Sequence, residues 1–328
     1  MSCRLAKSYG FIKLLMKPTN GSLRIPQFMR FPADGFSAFH SFSTTRNRSM
    51  AASSSTNPMS GEEATGVTLL PAVEDRYGGV MTEMSQPMDP SAFSALLRSS
   101  LSNWTLQGKK GVWIKIPKEL IGLAETAVKE GFWFHHAEKN YLMLVYWIPK
   151  EENTLPANAS HRVGIGAFVI NDKKEVLVVQ EKTGRLQGQG IWKFPTGVVN
   201  EGEDIHDGSV REVKEETGVD TEFVQVLAFR QSHKTFCGKS DLFFVCMLKP
   251  LSLEISVQES EIEAAQWMPW EEYTKQPFVQ NQELLRYMTD ICAAKTNGDY
   301  QGFTPLPVSA FDQLGSLYLN TRDLQSRH

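Results

Sequence analysis

Apolar residues recur along residues 67–150 with spacings that predict a small α+β unit. Asp89 and Pro90 precede Phe93, Leu96 and Leu97 at helical spacing, which predicts a helix with an N-cap and a proline in its first turn. Further apolar runs predict strands over 112–116, 132–136 and 141–147, and a second helix over 118–129. The polar, proline-containing stretch 150–158 then predicts a linker between two domains.

Residues 159–293 carry a longer succession of strands and helices, which predicts a second domain. We expect a hairpin from strands over 163–170 and 175–181, then a short strand over 191–194, a turn over 195–197, and a helix over 204–217 ended by Gly218. Strands over 223–230, 242–248 and 264–268 should follow, with helices beginning at Trp270 and Asn281. For 294–328, a C-terminal tail, the sequence predicts no element.

The composition narrows the class of protein. A chain of 328 residues with 41% hydrophobic and 22% charged residues is typical of a soluble protein with two domains. A net charge of −3 argues against a nucleic-acid partner, and no apolar run reaches the roughly 18 residues that span a bilayer. The cysteines form no CxxC pair, which argues against a zinc site and favours a reducing compartment; they are Cys3, Cys237, Cys246 and Cys292.

The first 66 residues differ in composition from the rest of the chain. Between residues 1 and 61 there are eight basic side chains and one acidic one, Asp34, among many serines and threonines. This composition predicts a transit peptide for the mitochondrion or the chloroplast, and a basic amphipathic stretch at 9–17 favours the mitochondrion. The alternative is a disordered arm that is not cleaved, in which case the protein stays in the cytosol.

Acidic residues within the helix predicted over 204–217 form a candidate site for a divalent cation. Since a helix turns about 100° per residue, Glu215 and Glu216 lie about 60° behind and 40° ahead of Glu212, on one face. Glu203 precedes this helix. Like charges at this spacing repel, and a divalent cation such as Mg²⁺ would remove the repulsion. A solvated acidic face is the plain alternative, but it does not explain the glycines, the upstream glutamate and Arg211 at fixed offsets.

The segment 197–219 resembles the Nudix box. Its residues fit the pattern Gly-x5-Glu-x7-Arg-Glu-apolar-x-Glu-Glu-x-Gly-apolar at every defined position. The general resemblance covers 159–290. Over 76–292 the chain is more narrowly similar to plant two-domain Nudix hydrolases, through GVWIK at 111–115 and KSDLFF at 239–244.

The resemblance implies an α/β fold, a Nudix α/β/α sandwich with a mixed sheet, preceded by the smaller α+β domain. It also implies that one or more Mg²⁺ or Mn²⁺ ions are held by Glu212, Glu215, Glu216 and the backbone carbonyl of Thr196. Arg211 would orient these carboxylates by charge-assisted hydrogen bonds, and Glu203 would support the loop.

The implied reaction is attack of an activated water on a diphosphate, with a glutamate as the general base. Family members differ in the identity of that base. In this chain it is a box residue, Glu212 or Glu215, or one on a later loop that offers Glu259, Glu261 and Glu263. We favour Glu212 and keep Glu261 as the alternative.

The resemblance implies a small nucleotide diphosphate as the substrate, and similarity to the plant branch suggests ADP-ribose or NADH. Arg230 and Gln231, at a strand end beyond the box, are candidates for contacts with a phosphate or a base edge. A different reading is a Nudix domain that senses nucleotides or binds a partner without catalysis. The N-terminal unit faintly resembles an acyltransferase but lacks a glycine-rich pyrophosphate loop, so we expect a docking or dimerisation domain, and plant relatives suggest a homodimer.

Overall fold

The computed structural model describes residues 68–310 and 313–322. They belong to two compact units, of which one ends at Asn158 and the other begins at Ala159. The predicted transit segment lies outside the described residues. Within the described ranges, no helix is both long enough and apolar enough to cross a bilayer.

The N-terminal unit is a five-stranded sheet with two helices. The strands lie in the order β1-β2-β3-β5-β4, with β2 parallel to β3 and the other neighbours antiparallel. The elements are β1 (Val73–Glu74), β2 (Val80–Glu83), α1 (Pro90–Leu106), β3 (Gly111–Pro117), a 3₁₀ turn (Lys118–Leu120), α2 (Leu123–Lys129), β4 (Trp133–Ala137) and β5 (Tyr141–Trp147).

Helix α1 begins where the sequence predicts. The carboxylate of Asp89 accepts hydrogen bonds from the backbone N–H groups of Ser91 and Ala92, which satisfies donors that the first helical turn leaves open. The apolar stripe of α1 lies in the core of this unit, where Phe93 and Leu97 are fully buried. The helix predicted over 118–129 is instead divided into the 3₁₀ turn and α2, with Gly122, a poor helix former, between them.

The second unit contains a four-stranded mixed sheet, a two-stranded sheet and a hairpin. In the mixed sheet the order is β8-β6-β10-β9, and β6 runs parallel to β10. The elements are β6 (His161–Val169), β7 (Glu175–Glu181), β8 (Thr196–Val198), α3 (Ile205–Thr217), β9 (Thr221–Ser232), β10 (Ser240–Pro250), β11 (Ile262–Pro269), α4 (Trp270–Lys275), α5 (Pro277–Gln280), α6 (Glu283–Thr296), β12 (Thr304–Ala310) and β13 (Gln313–Leu319).

Helices cover both faces of the mixed sheet, which confirms the predicted α/β/α sandwich. On one face, α3 contributes Val213 to a core with Ile165 and Cys246. On the other face, the C-terminal helices contribute residues such as Met288 to a core with Val245. Val245 and Cys246 are adjacent in β10, and successive strand residues point to opposite faces.

Three sequence predictions around the first strands of this unit differ from the structure. The turn after β6 forms, with the side-chain oxygen of Asn171 accepting from the backbone of Lys173 and Glu175, but its strands enter different sheets. β6 pairs with β8 and β10, whereas β7 pairs with β11. The strand predicted over 191–194 reduces to one bridge between Lys193 and Val179, and the predicted turn is strand β8.

The predicted C-terminal tail contains the hairpin β12–β13. Pro305 and Pro307 argue against a strand, but as alternate residues of a two-stranded hairpin they are compatible with edge positions where no N–H bond is needed. The Tyr318 hydroxyl group lies 3.0 Å from Nδ1 of His206, and the Ser316 hydroxyl donates to Asp204. The hairpin therefore contacts the first turn of α3.

Replacing Leu97 with alanine should destabilise the N-terminal unit by about 2–5 kcal/mol, because a fully buried side chain leaves a cavity. Urea unfolding of the full chain measures the change. Leu106→Ala, on the same helix but 88% exposed, is the matched control and should change stability by less than about 0.5 kcal/mol. Equal effects of the two substitutions would contradict the assigned core.

Candidate active site

Helix α3 has well-defined ends that fix its position. Asp204 occupies the N-cap, and Gly218 ends the helix with a left-handed φ of +72°. A side chain at Gly218 would also meet the backbone of Ser256, whose N–H donates to the Thr217 carbonyl. The 256–258 segment thus packs directly against the last turn of α3, where Gln258 N–H donates to the Glu216 carbonyl.

The carboxylate of Glu212 lies directly against the Cα of Gly197. Glu212 is fully buried, and a Cβ added to Gly197 would overlap its carboxyl group. Gly197 is therefore a glycine because an acidic side chain occupies the space beside the strand, and not because the chain turns there.

Glu216 reaches the neighbouring residue of the same strand. Its Oε2 accepts a hydrogen bond from the backbone N–H of Thr196, at 3.3 Å, and its side chain is buried. Glu212 and Glu216 thus both face β8, at adjacent residues, as their helical spacing predicts. The structure also brings the predicted ligand Thr196 to this place.

Arg211 links the remaining acidic side chains. Its guanidinium binds both carboxylate oxygens of Glu203, at 2.6 and 2.8 Å, and donates to Glu212 at 2.8 Å and to the Val198 carbonyl. It also lies 3.4 Å from Glu215. The hydrogen bond with Glu203 raises the pKa of Arg211 above its ordinary value despite partial burial. Arg211 therefore remains a cation that holds the acidic groups in place.

These four carboxylates and Arg211 form what we call the carboxylate cluster. The guanidinium neutralises one of four negative charges that are gathered at a largely buried place. Oxygen donors with residual negative charge are the ligands that Mg²⁺ and Mn²⁺ prefer. The residues present therefore fit a divalent cation. Another potential ligand group, Asp204, His206 and Asp207, contacts the C-terminal hairpin instead.

The alternative base Glu261 lies on the loop that precedes β11. Its backbone N–H donates to the Gln258 carbonyl, and its carbonyl accepts from Lys182. Because Gln258 is bonded to the backbone of Glu216, this loop runs beside the C-terminal end of α3. The loop of Glu261 therefore lies beside the last turn of α3, the turn that follows Glu212.

Arg230 and Gln231 lie on β9, three strand positions from β8, or about 14 Å at ordinary strand spacing. The Arg230 guanidinium lies over the Phe243 ring, with its centre 5.6 Å from the ring centroid. Burial lowers the pKa of Arg230, and the charge of Asp241 opposes this shift. Gln231 is exposed and contacts His161. Their substrate role stays a prediction.

Sequence reasoning missed a buried ion pair beside β8. Lys193 binds Glu181 at 2.9 Å and donates to the Thr196 hydroxyl group at 2.6 Å, and both charged side chains are over 90% buried. A lysine within the apolar stretch 191–194 was the only signal in the sequence, and nothing there linked it to Glu181.

The Gly197→Ala substitution should destabilise the protein by about 1–3 kcal/mol, because the added methyl group displaces the Glu212 carboxylate from its place. Denaturant unfolding measures this loss. Gly122→Ala is the control, since its φ is −58° and a methyl group there meets open space. The control should be neutral or slightly stabilising; a neutral Gly197→Ala would refute the close contact.

Comparison with known protein families gives matches to both units. A profile described as "Nudix hydrolase domain" matches residues 70–148, and one described as "NUDIX domain" matches residues 160–288.

Whole-chain relatives include Nudix hydrolase 2 of Arabidopsis thaliana, 86% identical over 278 residues, which are 85% of this chain and 99% of the relative. Nudix hydrolase 10 of the same plant is 54% identical, over 78% of this chain and 91% of its own length. The human protein named nucleoside diphosphate-linked moiety X motif 6 is 36% identical, over 61% and 65%. With the box helix, its carboxylates and the α/β/α sandwich in place, this chain belongs to the Nudix hydrolase family of enzymes.

Proposed function

We propose that this enzyme hydrolyses the diphosphate bond of a nucleoside diphosphate linked to another moiety, with Mg²⁺ or Mn²⁺. The observation that carries the proposal is the carboxylate cluster, in which Glu212 and Glu216 face adjacent residues of β8. Arg211 balances only part of this negative charge, so the crowding is unfavourable without a further cation and stability alone does not account for it.

Glu212, Glu215 and Glu216, with the Thr196 carbonyl, would hold the ion. When bound, the ion supplies positive charge that stabilises developing charge on the phosphoryl oxygens. Arg211 keeps the carboxylates oriented through its bonds to Glu203, Glu212 and Glu215. The rigidity of this arrangement lowers the cost of organising the site before the reaction.

A glutamate of this site accepts the proton of the attacking water. Glu212 is our first candidate, because it lies in the cluster beside Gly197. Glu261 is the alternative, because its loop is bonded to the end of α3. The water then attacks one phosphorus of the diphosphate in line with the departing phosphate group.

ADP-ribose and NADH are the first substrates to test, since the chain resembles the plant two-domain branch. The name of the human relative, nucleoside diphosphate-linked moiety X motif 6, supports the broader class of substrate. Arg230 is a candidate contact for a phosphate and Gln231 for a base edge.

Glu216→Gln should lower kcat by roughly 100-fold or more, because a metal ion supplies several kcal/mol of stabilisation and each 1.4 kcal/mol is about tenfold. The assay is phosphate-ester product release from a panel of nucleoside diphosphate derivatives, including ADP-ribose and NADH, with Mg²⁺ or Mn²⁺. Glu201→Gln, at an exposed residue of the preceding loop, is the control and should keep full activity. Hydrolysis of no panel compound by the wild-type protein would refute the proposed function.

The two candidate bases give different results on substitution. If Glu212 is the base, Glu212→Gln lowers kcat by about 10²–10⁴-fold and removes the acidic limb of the pH–rate profile, while Glu261→Gln leaves that limb in place. Steady-state rates across pH, at saturating Mg²⁺, measure this. A loss of only a few-fold in Glu212→Gln excludes Glu212 and assigns the role to Glu261 if that variant loses the limb.

A further inference from the structure

A buried ion pair lies under strand β8, on the side away from α3. Lys193 and Glu181 are both more than 90% buried, and their charged atoms are 2.9 Å apart. Among the described residues, Oε2 of Glu181 has no hydrogen-bond partner. The pair is therefore held by few polar contacts apart from each other and from the Thr196 hydroxyl group.

Stability does not account for such a pair. Taking two charges out of water costs more than their attraction returns in many proteins, and apolar replacements of similar volume are often neutral or stabilising. A buried pair with an incompletely bonded carboxylate is thus expected where it performs a task that an apolar pair cannot perform.

The position of Lys193 indicates that task. Strand neighbours point to opposite faces, so the side chain of Thr196 and the missing side chain of Gly197 lie on opposite sides of β8. On one side, the Glu212 carboxylate lies against Gly197. On the other side, Lys193 holds the Thr196 hydroxyl group at 2.6 Å.

Strand β8 needs such support because it is short and lies at a sheet edge. It has three residues and is paired with β6 alone. The backbone bonds that flank the strand, from Ala167 N–H to the Pro195 carbonyl and from Val199 N–H to the Val163 carbonyl, do not involve Thr196 itself. A side-chain bond from Lys193 constrains Thr196, whose N–H binds Glu216 and whose carbonyl is a proposed metal ligand.

We propose that Lys193 is a positioning residue that acts through Thr196, and that the ion pair with Glu181 holds the Lys193 side chain in place. The Glu181–Lys193–Thr196 relay sets the placement of the backbone of Thr196 against Glu216, and through it the affinity for the divalent cation. This inference rests on the proposed function, since it assigns a supporting group to that same metal site. Groups that orient ligands in this way typically change metal affinity by about 10–100-fold.

The test is Mn²⁺ binding to the full chain without substrate, measured by titration calorimetry and by the Mn²⁺ paramagnetic resonance signal. In the double variant Glu181→Leu/Lys193→Met both charges are removed together, so no buried charge is left unpaired. We expect a melting temperature at or above that of the wild type, with Mn²⁺ binding weakened by about 10-fold or more. Wild-type affinity in a folded double variant would overturn the proposal.

A second pair of variants keeps the test decisive if the double variant does not fold. Thr196→Val has nearly the same shape but offers Lys193 no acceptor, and it should weaken Mn²⁺ binding by about 10-fold or more. Thr196→Ser retains the hydroxyl group and should restore most of the affinity. If Thr196→Val binds Mn²⁺ as tightly as Thr196→Ser, the relay has no positioning role.

Two controls separate this inference from its premise. Leu248→Ala removes a buried side chain of β10 that lies about 10 Å from the level of Thr196 along the strand direction. It should lower the melting temperature without changing Mn²⁺ affinity. Glu216→Gln should abolish Mn²⁺ binding; if it does not, the proposed metal site fails and the inference with it. If Glu216→Gln abolishes binding while the relay variants keep it, only the inference fails.

Discussion

Everything at the candidate site depends on one close approach, that of the Glu212 carboxylate to the Cα of Gly197. A helix carrying three acidic side chains can lie this near a strand only where the strand has no side chain. The approach places Glu212 and Glu216 on neighbouring residues of β8 and leaves Arg211 to join Glu203, Glu212 and Glu215. Negative charge is thereby concentrated next to the backbone of Thr196 and Gly197. Divalent cations such as Mg²⁺, which prefer oxygen ligands, favour such an environment.

The surrounding fold holds this approach from several directions. The last turn of α3 is bonded to the 256–258 segment, and its first turn contacts Tyr318 and Ser316 of the C-terminal hairpin. The hairpin is in turn attached to β9, since the backbones of Phe303 and Val226 exchange hydrogen bonds. Tyr318 and Ser316, about 110 residues after the start of α3, thus help to hold the helix that carries the acidic side chains.

The charged groups that contact the two sides of β8 differ in how their charge is balanced. On the side of α3, the strand lies against the carboxylates of the cluster, whose mutual repulsion a bound cation would reduce. On the other side, it meets a lysine whose charge is balanced by Glu181 within an apolar environment. An incomplete hydrogen-bond set at Glu181 and a three-residue edge strand are local costs in stability, and proteins commonly retain such costs at functional sites.

The sequence by itself determined the features that depend on local spacing. The helical period placed Glu212, Glu215 and Glu216 on one face, and Asp89 and Gly218 marked helix ends. The α/β/α sandwich was implied by the resemblance to the Nudix family. Only the tertiary structure decided the features that join distant residues: the separation of β6 and β7 into two sheets, the strand at Thr196–Val198, the Lys193–Glu181 pair and the C-terminal hairpin. Gly197 shows the reason. In a sequence, a glycine usually signals a turn. Here its lack of a side chain makes room for the carboxylate of Glu212, fifteen residues later. A contact between residues so far apart does not appear as a periodic pattern in the sequence.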